Sequence, residues 1–373
     1  MIIKNGSFDG MAHEVKKKNL RIVIFGAGMM GLVTAPEILK QYGIEESVEC
    51  YVDNDSRCWN SETDVFKTAK KILSPEVLTN YDAGKTVILL AISRCHQVLQ
   101  QLEMYENLQK ASCYILPMMC ITNFKNTKYR GAVKESSYQK IPKVIHYMWL
   151  GKKEMPEKWK VCIDSWKTYC PDYEIQRWDE SNYDIHKNQY MSQAYHAGMY
   201  GFVPDYARLD ILYQYGGIYM DTDVQLIKNL DDMLYQDAFC GVEKWQTLNF
   251  GGLSGSVKGS NAIEKMLEER ERLSFFNTDG SKNMNTCGYF DTLTAMKYGY
   301  RITGKNQKIL DMNIYSYDYF HPYDYMSGQL AKTLNTYSIH HFNGGWLDET
   351  MREENEKIEK EYENLFALAS KNM

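Results

Sequence analysis

One stretch, residues 202–226, constrains the fold of this chain more than any other. It reads FVPDYARLDILYQYGGIYMDTDVQL. Apolar residues at helical spacing predict a helix over 203–215. Gly216-Gly217 is predicted to end that helix, because glycine takes the left-handed conformation that a helix terminus requires. Residues 218–226 then predict a strand, so the stretch is expected to form a helix, a sharp break and a strand in succession.

Charged residues on these two elements indicate chemistry. On a strand, Asp221 and Asp223 would share one face with Tyr219. Mg²⁺ and Mn²⁺ take oxygen ligands and keep further positions for phosphate oxygens, so two convergent carboxylates suit them. On the helix, Asp205 and Arg208 are three residues apart and therefore share a face. An isolated Asp-x-Asp more often caps a turn, and it is the conjunction with the helix and the glycine break that favours a metal site.

The segment DYARLDILYQYGGIYMDTDV resembles the DXD-containing sugar transferases of glycosyltransferase family 32. That family includes bacterial capsular-polysaccharide enzymes and the yeast initiating mannosyltransferase, and the same block is similar to one in the large clostridial glucosylating toxins. The sequence IPKVIHYMWLG at 141–151 resembles the opening of the same family. The resemblance implies a GT-A type α/β fold, a nucleotide-sugar donor (a UDP-sugar first), Mn²⁺ or Mg²⁺ as cofactor and retention of anomeric configuration. It implies catalytic roles for Asp205, Arg208, Asp221 and Asp223.

The resemblance also implies a set of donor-binding residues. Trp149 would stack on the nucleotide base, and Tyr219 would lie beside the donor. Asn249, together with Glu243, would contact the sugar, and Trp346 would lie near the phosphates. A core tryptophan, a turn asparagine and a surface carboxylate are the structural alternatives for Trp149, Asn249 and Glu243.

A late segment, YSIHHFNGGW at 337–346, is expected to complete the metal site. Transferases of this kind commonly supply a late histidine as a further metal ligand. The spacing of related retaining transferases favours His341, and His340 is the alternative. The expected metal ligands are therefore Asp221, Asp223 and His341.

The N-terminal part carries a second signal, a strand at 21–25 followed by GAGMMG. Gly26, Gly28 and Gly31 would let the backbone approach a diphosphate, and Asp53 after the next strand would bind a ribose hydroxyl. This part resembles the Rossmann-like nucleotide-binding domains found on bacterial sugar acyltransferases. A glycine loop that only makes a tight turn is the alternative. A nicotinamide-dependent oxidoreductase is a rival function, but the rest of the chain shows no second catalytic half with a convincing Tyr-x-x-x-Lys or Ser/His arrangement for it.

Composition limits the remaining possibilities. A net charge of -5 without a basic run argues against nucleic acid as a partner, and nine scattered cysteines favour a reducing cytoplasmic setting. The predicted α/β organisation is a parallel-sheet domain at 1–125, a linker at 126–140, a transferase domain at 141–348 and a C-terminal helix at 349–373. That helix would pack on a domain, pair with a second subunit or lie on a membrane surface. The expected partners are a nucleotide sugar and a saccharide or lipid-linked glycan acceptor in surface-polysaccharide synthesis, with peripheral membrane association; a non-catalytic nucleotide-sugar binding protein is a further alternative.

Overall fold

The structure is a computed structural model that describes residues 1–4, 6–124, 128–342 and 349–371. The chain divides into two compact units. The first consists of Met1–Lys125 and Arg352–Met373, and the second of Asn126–Met351. The first unit is therefore assembled from both ends of the chain.

The first unit is built on a seven-stranded sheet with the order β1-β7-β6-β2-β3-β5-β4. Its strands are β1 (Ile2–Lys4), β2 (Arg21–Phe25), β3 (Val48–Val52), β4 (Glu62–Thr63), β5 (Lys70–Leu73), β6 (Thr86–Leu90) and β7 (Ser112–Ile115). All neighbouring pairs are parallel except β4 with β5. The intervening helices are α1 (Phe8–Lys18), α2 (Ala35–Gln41), α3 (Cys95–Glu103) and α4 (Leu116–Asn123). Central strands β2 and β6 are almost entirely apolar, as a sheet covered on both faces requires.

The second unit is built on an eight-stranded mixed sheet with the order β15-β16-β12-β14-β10-β8-β9, and β13 pairs with β12. Its strands are β8 (Val144–Met148), β9 (Glu174–Trp178), β10 (Gly217–Tyr219), β12 (Ala238–Val242), β13 (Leu248–Asn249), β14 (Ser254–Ser256), β15 (Gln307–Ile309) and β16 (Met312–Tyr315). Two small two-stranded sheets accompany it, β11 (Val224–Leu226) with β19 (Ser338–His340), and β17 (Tyr323–Asp324) with β18 (Gln329–Leu330). Both units combine helices with a sheet that contains parallel strand pairs, so the predicted α/β fold class is confirmed.

The helices of the second unit include the one predicted from the central stretch. They are α5 (Glu157–Tyr169), α6 (Gln189–His196), α7 (Pro204–Tyr215), α8 (Asn261–Glu271), α9 (Cys287–Lys297) and α10 (Tyr317–Phe320). Helix α7 ends as predicted at Gly216, whose φ is +70°. Trp166 of α5 is fully buried and donates from Nε1 to the Val224 carbonyl at 2.7 Å, which ties α5 to β11.

The predicted linker and the C-terminal helix are each grouped with one of the two units. The described part of the predicted linker, 128–140, is bonded into the second unit: Glu135 N–H and Ser136 N–H both donate to the Tyr235 carbonyl, at 2.8 and 3.1 Å. The C-terminal helix, α11 (Glu349–Lys371), groups from Arg352 onward with the first unit. Its Tyr362 is buried and donates to the Ser93 carbonyl at 3.0 Å. Within the described residues, no helix has the length and apolar character needed to cross a bilayer.

Candidate active site

The predicted long strand over 218–226 is interrupted, and this correction shapes the site. Strand β10 stops at Tyr219, and Asp221 N–H donates to the Gly251 carbonyl at 2.7 Å. A tight turn follows, closed by Val224 N–H donating to the Asp221 carbonyl at 3.1 Å, and the chain then enters β11. Asp221 and Asp223 are thus neighbours because of a turn, and strand alternation is not the cause. The turn also explains why both carboxylates remain partly open, with side-chain exposures of 28% and 14%.

Helix α7 supplies a buried charge cluster beside this turn. Arg208 Nη2 lies 3.4 Å from Asp205 Oδ1 and 3.4 Å from Asp221 Oδ2. The guanidinium therefore links the helix carboxylate to the turn carboxylate, as the three-residue spacing on the helix predicts. Burial raises the pKa of Asp205, while the guanidinium groups of Arg208 and Arg270 act in the opposite direction. The neighbouring acids hold the pKa of Arg208 well above its usual value despite its burial.

A second ion pair lies behind that cluster. Arg270 of α8 donates from Nη2 to Asp291 Oδ1 of α9 at 2.9 Å, and both side chains are almost completely buried. Arg270 Nη2 also donates to the Cys287 carbonyl at 2.9 Å, and Arg208 Nη1 lies 3.5 Å from the Cys287 thiol. No local sequence motif marks these residues, because a buried ion pair between two helices depends on partners that are distant in sequence.

The histidine that faces the turn is His340. Its Nε2 lies 3.3 Å from Asp223 Oδ1, and its ring is buried. Burial by itself would lower the pKa of His340, but the carboxylates of Asp223, Asp221 and Glu243 outweigh it, so the pKa is raised. His341, the residue that the sequence favours, places Nε2 3.0 Å from Gln225 Oε1. Consecutive strand residues point to opposite faces, and pairing of His340 with Val224 in the β11–β19 ribbon decides which histidine reaches the turn.

Two residues expected to bind the donor are used inside the protein. Asn249 Oδ1 accepts hydrogen bonds from Gly251 N–H and Gly252 N–H, at 2.8 and 2.9 Å, and Nδ2 donates to Glu243 Oε1 at 2.7 Å. A Cβ atom on Gly251 would lie only 2.1 Å from Asp221 Oδ2, so the close approach of this loop to the turn requires glycine. Tyr219 is fully buried, and its ring centroid lies 5.7 Å from the Arg208 guanidinium. Asn249 therefore holds the loop whose Gly251 carbonyl accepts from the Asp221 N–H, and the Tyr219 ring contacts the Arg208 guanidinium.

The structure describes one of the two tryptophans that were expected to bind the donor. Trp149 is half-buried, packs edge-on against Trp159 with ring centroids 5.0 Å apart, and donates from Nε1 to the Lys153 carbonyl at 3.0 Å. Stacking of its ring on a nucleotide base stays a prediction. Trp346 lies outside the described residues.

The Asp53 carboxylate hydrogen-bonds to the glycine loop of the first unit and to the backbone that follows Asp53. One Asp53 oxygen accepts from Ala27 N–H at 2.7 Å, and the other accepts from Asp55 N–H at 2.8 Å. A Cβ atom on Gly31 would lie 1.9 Å from the Gly26 carbonyl oxygen, so packing requires glycine there. Gly28 has open space around it. Nucleotide binding by Gly26, Gly28, Gly31 and Asp53 stays a prediction, and the contacts of Asp53 account for its position without a ribose.

The donor atoms at the turn suit a hard divalent cation. No group of three His, Cys, Asp or Glu side chains converges as a metal cluster among residues 1–4, 6–124, 128–342 and 349–371. Asp221 and Asp223 nevertheless keep carboxylate oxygens partly exposed, and a divalent cation on such oxygens retains further positions for substrate phosphates, so the metal role of this turn stays a prediction. His340 Nδ1 and Arg208 Nε are buried without a hydrogen-bond partner in the described structure.

Comparisons with known proteins agree with the position of this site. Residues 156–240 match the family described as "Glycosyltransferase sugar-binding region containing DXD motif". Inositol phosphoceramide mannosyltransferase 3 of Schizosaccharomyces pombe is 35% identical over 143 residues, which cover 35% of this chain and 36% of that protein. Inositol phosphoceramide mannosyltransferase 1 of the same yeast is 32% identical over 108 residues, covering 27% of this chain and 34% of that protein.

These similarities have a limited extent. The chain spans about a third of the length of the yeast relatives that it matches. A solved structure titled "PaToxG Glycosyltransferase" aligns over 43% of this chain and 69% of its own, with 21% sequence identity and a TM-score of 0.35. The region that matches the family model, residues 156–240, contains α7 and the turn at Asp221–Asp223. This chain is therefore similar, over residues 156–240, to glycosyltransferase sugar-binding regions that contain a DXD motif, and its Asp221-Thr222-Asp223 sequence lies within that region.

Proposed function

We propose that this chain is a metal-dependent glycosyltransferase that moves a hexose from a nucleotide sugar to a saccharide or lipid-linked glycan, with retention of configuration. The observation that carries the proposal is the arrangement of Arg208 between Asp205 and Asp221, 3.4 Å from each, beside a turn that exposes Asp221 and Asp223. The match of residues 156–240 to a glycosyltransferase region supports the reaction type. The names of the yeast relatives make mannose the first sugar to test and a lipid-linked acceptor the first acceptor class.

Each charged group has a role that its surroundings suggest. Mn²⁺ or Mg²⁺ held by Asp221, Asp223 and His340 would neutralise the charge that develops on the departing nucleoside diphosphate. Arg208 provides a fixed positive charge for the diphosphate or the sugar, because the neighbouring acids keep it protonated despite its burial and hold it in one orientation. Asp205 holds Arg208 in place and offers a carboxylate oxygen to a sugar hydroxyl. Attack by the acceptor hydroxyl on the same face as the departing group requires no protein nucleophile.

The proposal replaces His341 with His340 as the late ligand. The His340 ring contacts the Asp223 carboxylate, whereas the His341 ring contacts Gln225 and only the His341 N–H reaches Asp223, at its carbonyl. Metal ligation needs a neutral imidazole, so cation binding would displace the proton that Asp223 now favours on His340. A cytoplasmic setting at the inner face of a membrane and a role in surface-polysaccharide synthesis belong to this proposal as well.

A donor panel tests the proposal directly. The full chain is incubated with UDP- and GDP-linked hexoses, mannose included, in Mn²⁺ or Mg²⁺, and release of nucleoside diphosphate is measured. We expect hydrolysis of one donor, and its loss in excess chelator. Asp223→Asn should lower turnover on the order of 100-fold or more, because a cation ligand and a charge are removed together while the side-chain shape is kept. Asp232→Asn is the control, because Asp232 is a half-exposed carboxylate of the same unit that pairs with Lys134.

The panel also separates the rival functions. Full activity of Asp223→Asn, or in excess chelator, would contradict the metal role. Tight binding of a nucleotide sugar without turnover would favour a non-catalytic binding protein. Titration of the full chain with NAD and NADP tests the oxidoreductase, and substrate-dependent reduction of either cofactor would favour it.

A further inference from the structure

A leucine is held in solvent at the tip of a tight turn in the second unit. Leu334 is 78% exposed. The turn around it is closed by Thr336 N–H donating to the Thr333 carbonyl at 3.2 Å. Side chains reinforce it, since Asn335 N–H donates to Thr333 Oγ1 at 3.0 Å and Thr333 N–H donates to Thr336 Oγ1 at 2.9 Å.

A buried carboxylate fixes this turn from beneath. Asp318 has no exposed surface, and its Oδ2 accepts from Thr333 Oγ1 at 2.8 Å and from Asn335 Nδ2 at 3.0 Å. Thr336 Oγ1 also donates to the Asp318 carbonyl at 2.7 Å. The exposure of Leu334 is therefore a property of a braced turn. A single exposed leucine is ordinary on a protein surface, so its surroundings decide what it means.

An exposed tyrosine lies next to the turn. The Asn335 side chain accepts from Arg130 N–H at 2.8 Å and donates to the Lys128 carbonyl at 2.9 Å, so it bonds the backbone on both sides of Tyr129. Tyr129 is 61% exposed. Leu334 and Tyr129 consequently stand on one small area of the surface, held there by a shared hydrogen-bond network.

Cations surround these two side chains. Lys128, Arg130 and Lys332 are exposed, and Lys228 Nζ lies 5.8 Å from the Tyr129 ring and 4.3 Å from the Tyr337 ring. An acid, Asp232, also lies in this region and is paired with Lys134 at 2.8 Å. We call the set Lys128, Tyr129, Arg130, Lys228, Lys332 and Leu334 the basic-aromatic patch. It is positive on a chain whose formal net charge is -5.

We propose that the basic-aromatic patch docks this protein on an anionic lipid bilayer. Lysine and arginine are attracted to anionic head groups, and a tyrosine with a protruding leucine suits the boundary between head groups and acyl chains. A soluble polyanion would use the cations but would leave Leu334 in water, so the lipid surface fits the whole patch better.

The patch is connected to the candidate active site by a short ribbon. Strand β19 begins two residues after Thr336 and ends at His340, and β11 leads from the Asp221–Asp223 turn towards Lys228. Thr336, at the end of the turn that carries Leu334, is four residues before His340. At ~3.3 Å per strand residue, the two are roughly 13 Å apart along the chain. If the proposed function holds, docking would bring a membrane-borne acceptor towards the sugar donor. The docking itself does not depend on transferase activity.

Vesicle co-sedimentation with the full chain tests the docking. The probes are vesicles of phosphatidylcholine alone and of phosphatidylcholine with about a third phosphatidylserine, at low and high salt. We expect binding to the anionic vesicles only, and its loss at high salt. Leu334→Asp should lower the partition coefficient at least tenfold, and Lys128→Glu should lower it at least roughly fivefold.

Matched controls distinguish docking from a general effect of added charge. Met104 of the first unit is 76% exposed, so Met104→Asp makes the same change at equal exposure at a residue that is not part of the basic-aromatic patch. Lys17→Glu is the control for Lys128→Glu, since Lys17 is also exposed. Both controls should bind anionic vesicles like the unaltered chain, and thermal melting should show that all variants are folded.

Several outcomes would overturn the proposal. One is an unaltered chain that stays in the supernatant with anionic vesicles, and another is equal binding to neutral vesicles. Equal losses in Leu334→Asp and Met104→Asp would show that the turn has no special role. Heparin binding that Leu334→Asp leaves unchanged, without vesicle binding, would identify the patch as a site for soluble polyanions. Because no readout uses a sugar donor, failure of the transferase proposal would not affect the result.

Discussion

Three carboxylates at the candidate active site differ in exposure and so in what they can do. The Asp205 side chain is 6% exposed, and the side chains of Asp221 and Asp223 are 28% and 14% exposed. A buried carboxylate is stable as an anion only with a close partner, which Arg208 supplies to Asp205. The two turn carboxylates are open enough to meet a ligand. The same residue type therefore orients a guanidinium at one position and is accessible for coordination at the others.

At the residue scale, the two adjacent histidines should behave differently. His340→Gln is expected to raise the Mn²⁺ concentration that gives half-maximal donor hydrolysis by 10- to 100-fold, because it changes the ring that contacts Asp223. His341→Gln should change it little, because its ring contacts Gln225. Titrating each variant with Mn²⁺ checks the order. A larger effect in His341→Gln would return the ligand assignment to His341.

The raised pKa of His340 gives a stability prediction with a definite sign. Because the folded chain holds this proton more tightly than the unfolded chain, the ion pair with Asp223 stabilises the protein fully below about pH 6.5 and loses that effect as pH rises through the folded-state pKa. Urea unfolding in chelator should therefore show a stability difference between the unaltered chain and His340→Gln that shrinks as pH rises from 6 to 8. A difference that grows over this range would show that His340 is neutral in the folded protein.

At the scale of elements, the loop after β13 determines where the turn carboxylate sits. Asn249 connects Glu243, Gly251 and Gly252, and the Gly251 carbonyl in turn holds Asp221 N–H. Asn249→Asp keeps the acceptor for the two glycine amides but places a carboxylate against the partly buried Glu243. We expect donor turnover to fall about 10- to 100-fold and amide exchange to accelerate at Asp221.

A second substitution tests the same contact by rescue. In the double variant Glu243→Gln with Asn249→Asp, the glutamine amide donates to the new carboxylate, so turnover and amide protection should recover. Asn313→Asp is the matched control, because Asn313 is equally buried and its amide donates to Glu135 and Gln236. If Asn313→Asp accelerates exchange at Asp221 as much as Asn249→Asp does, general destabilisation explains the effect and the bracing role is refuted.

At the scale of the whole molecule, the first unit is completed by the end of the chain. The buried stripe of α11 consists of Ile358, Tyr362 and Leu365, and Tyr362 donates to Ser93 of the same unit. Of the three places that the sequence left open for this helix, packing on a domain accounts for that stripe.

Removing Tyr362 should therefore loosen strands that lie far away in sequence. Tyr362→Ala deletes a buried aromatic side chain and should cost about 3 kcal/mol or more of local stability. Hydrogen exchange in peptides covering β6 checks this, because a local readout separates the two units. Tyr138→Ala, at a tyrosine 67% exposed in the second unit, should leave that exchange unchanged. Equal protection of β6 in Tyr362→Ala and the unaltered chain would show that α11 does not stabilise the first unit.

The sequence by itself determined the features that depend on near neighbours. Helical spacing gave α7 and the shared face of Asp205 and Arg208, and Gly216 ended the helix as predicted. An apolar run before the glycines of GAGMMG indicated β2, and a second apolar run that ends at Asp53 indicated β3, with their α/β alternation. These properties follow from backbone preferences and side-chain periodicity within a few residues, so they can be predicted from a short stretch of sequence.

Only the tertiary structure decided the features that depend on partners distant in sequence. The turn at Asp221–Asp223 replaces a continuous strand because Gly251 takes the Asp221 amide and β19 pairs with the residues after the turn. That same pairing selects His340 over His341, since a shift of one residue reverses every side chain on a strand. Asn249 holds the loop after β13 because its side-chain atoms bond to Glu243 and to the glycine amides. Strand register and the hydrogen bonds of buried polar groups are set by long-range pairing, and local sequence preferences do not specify them.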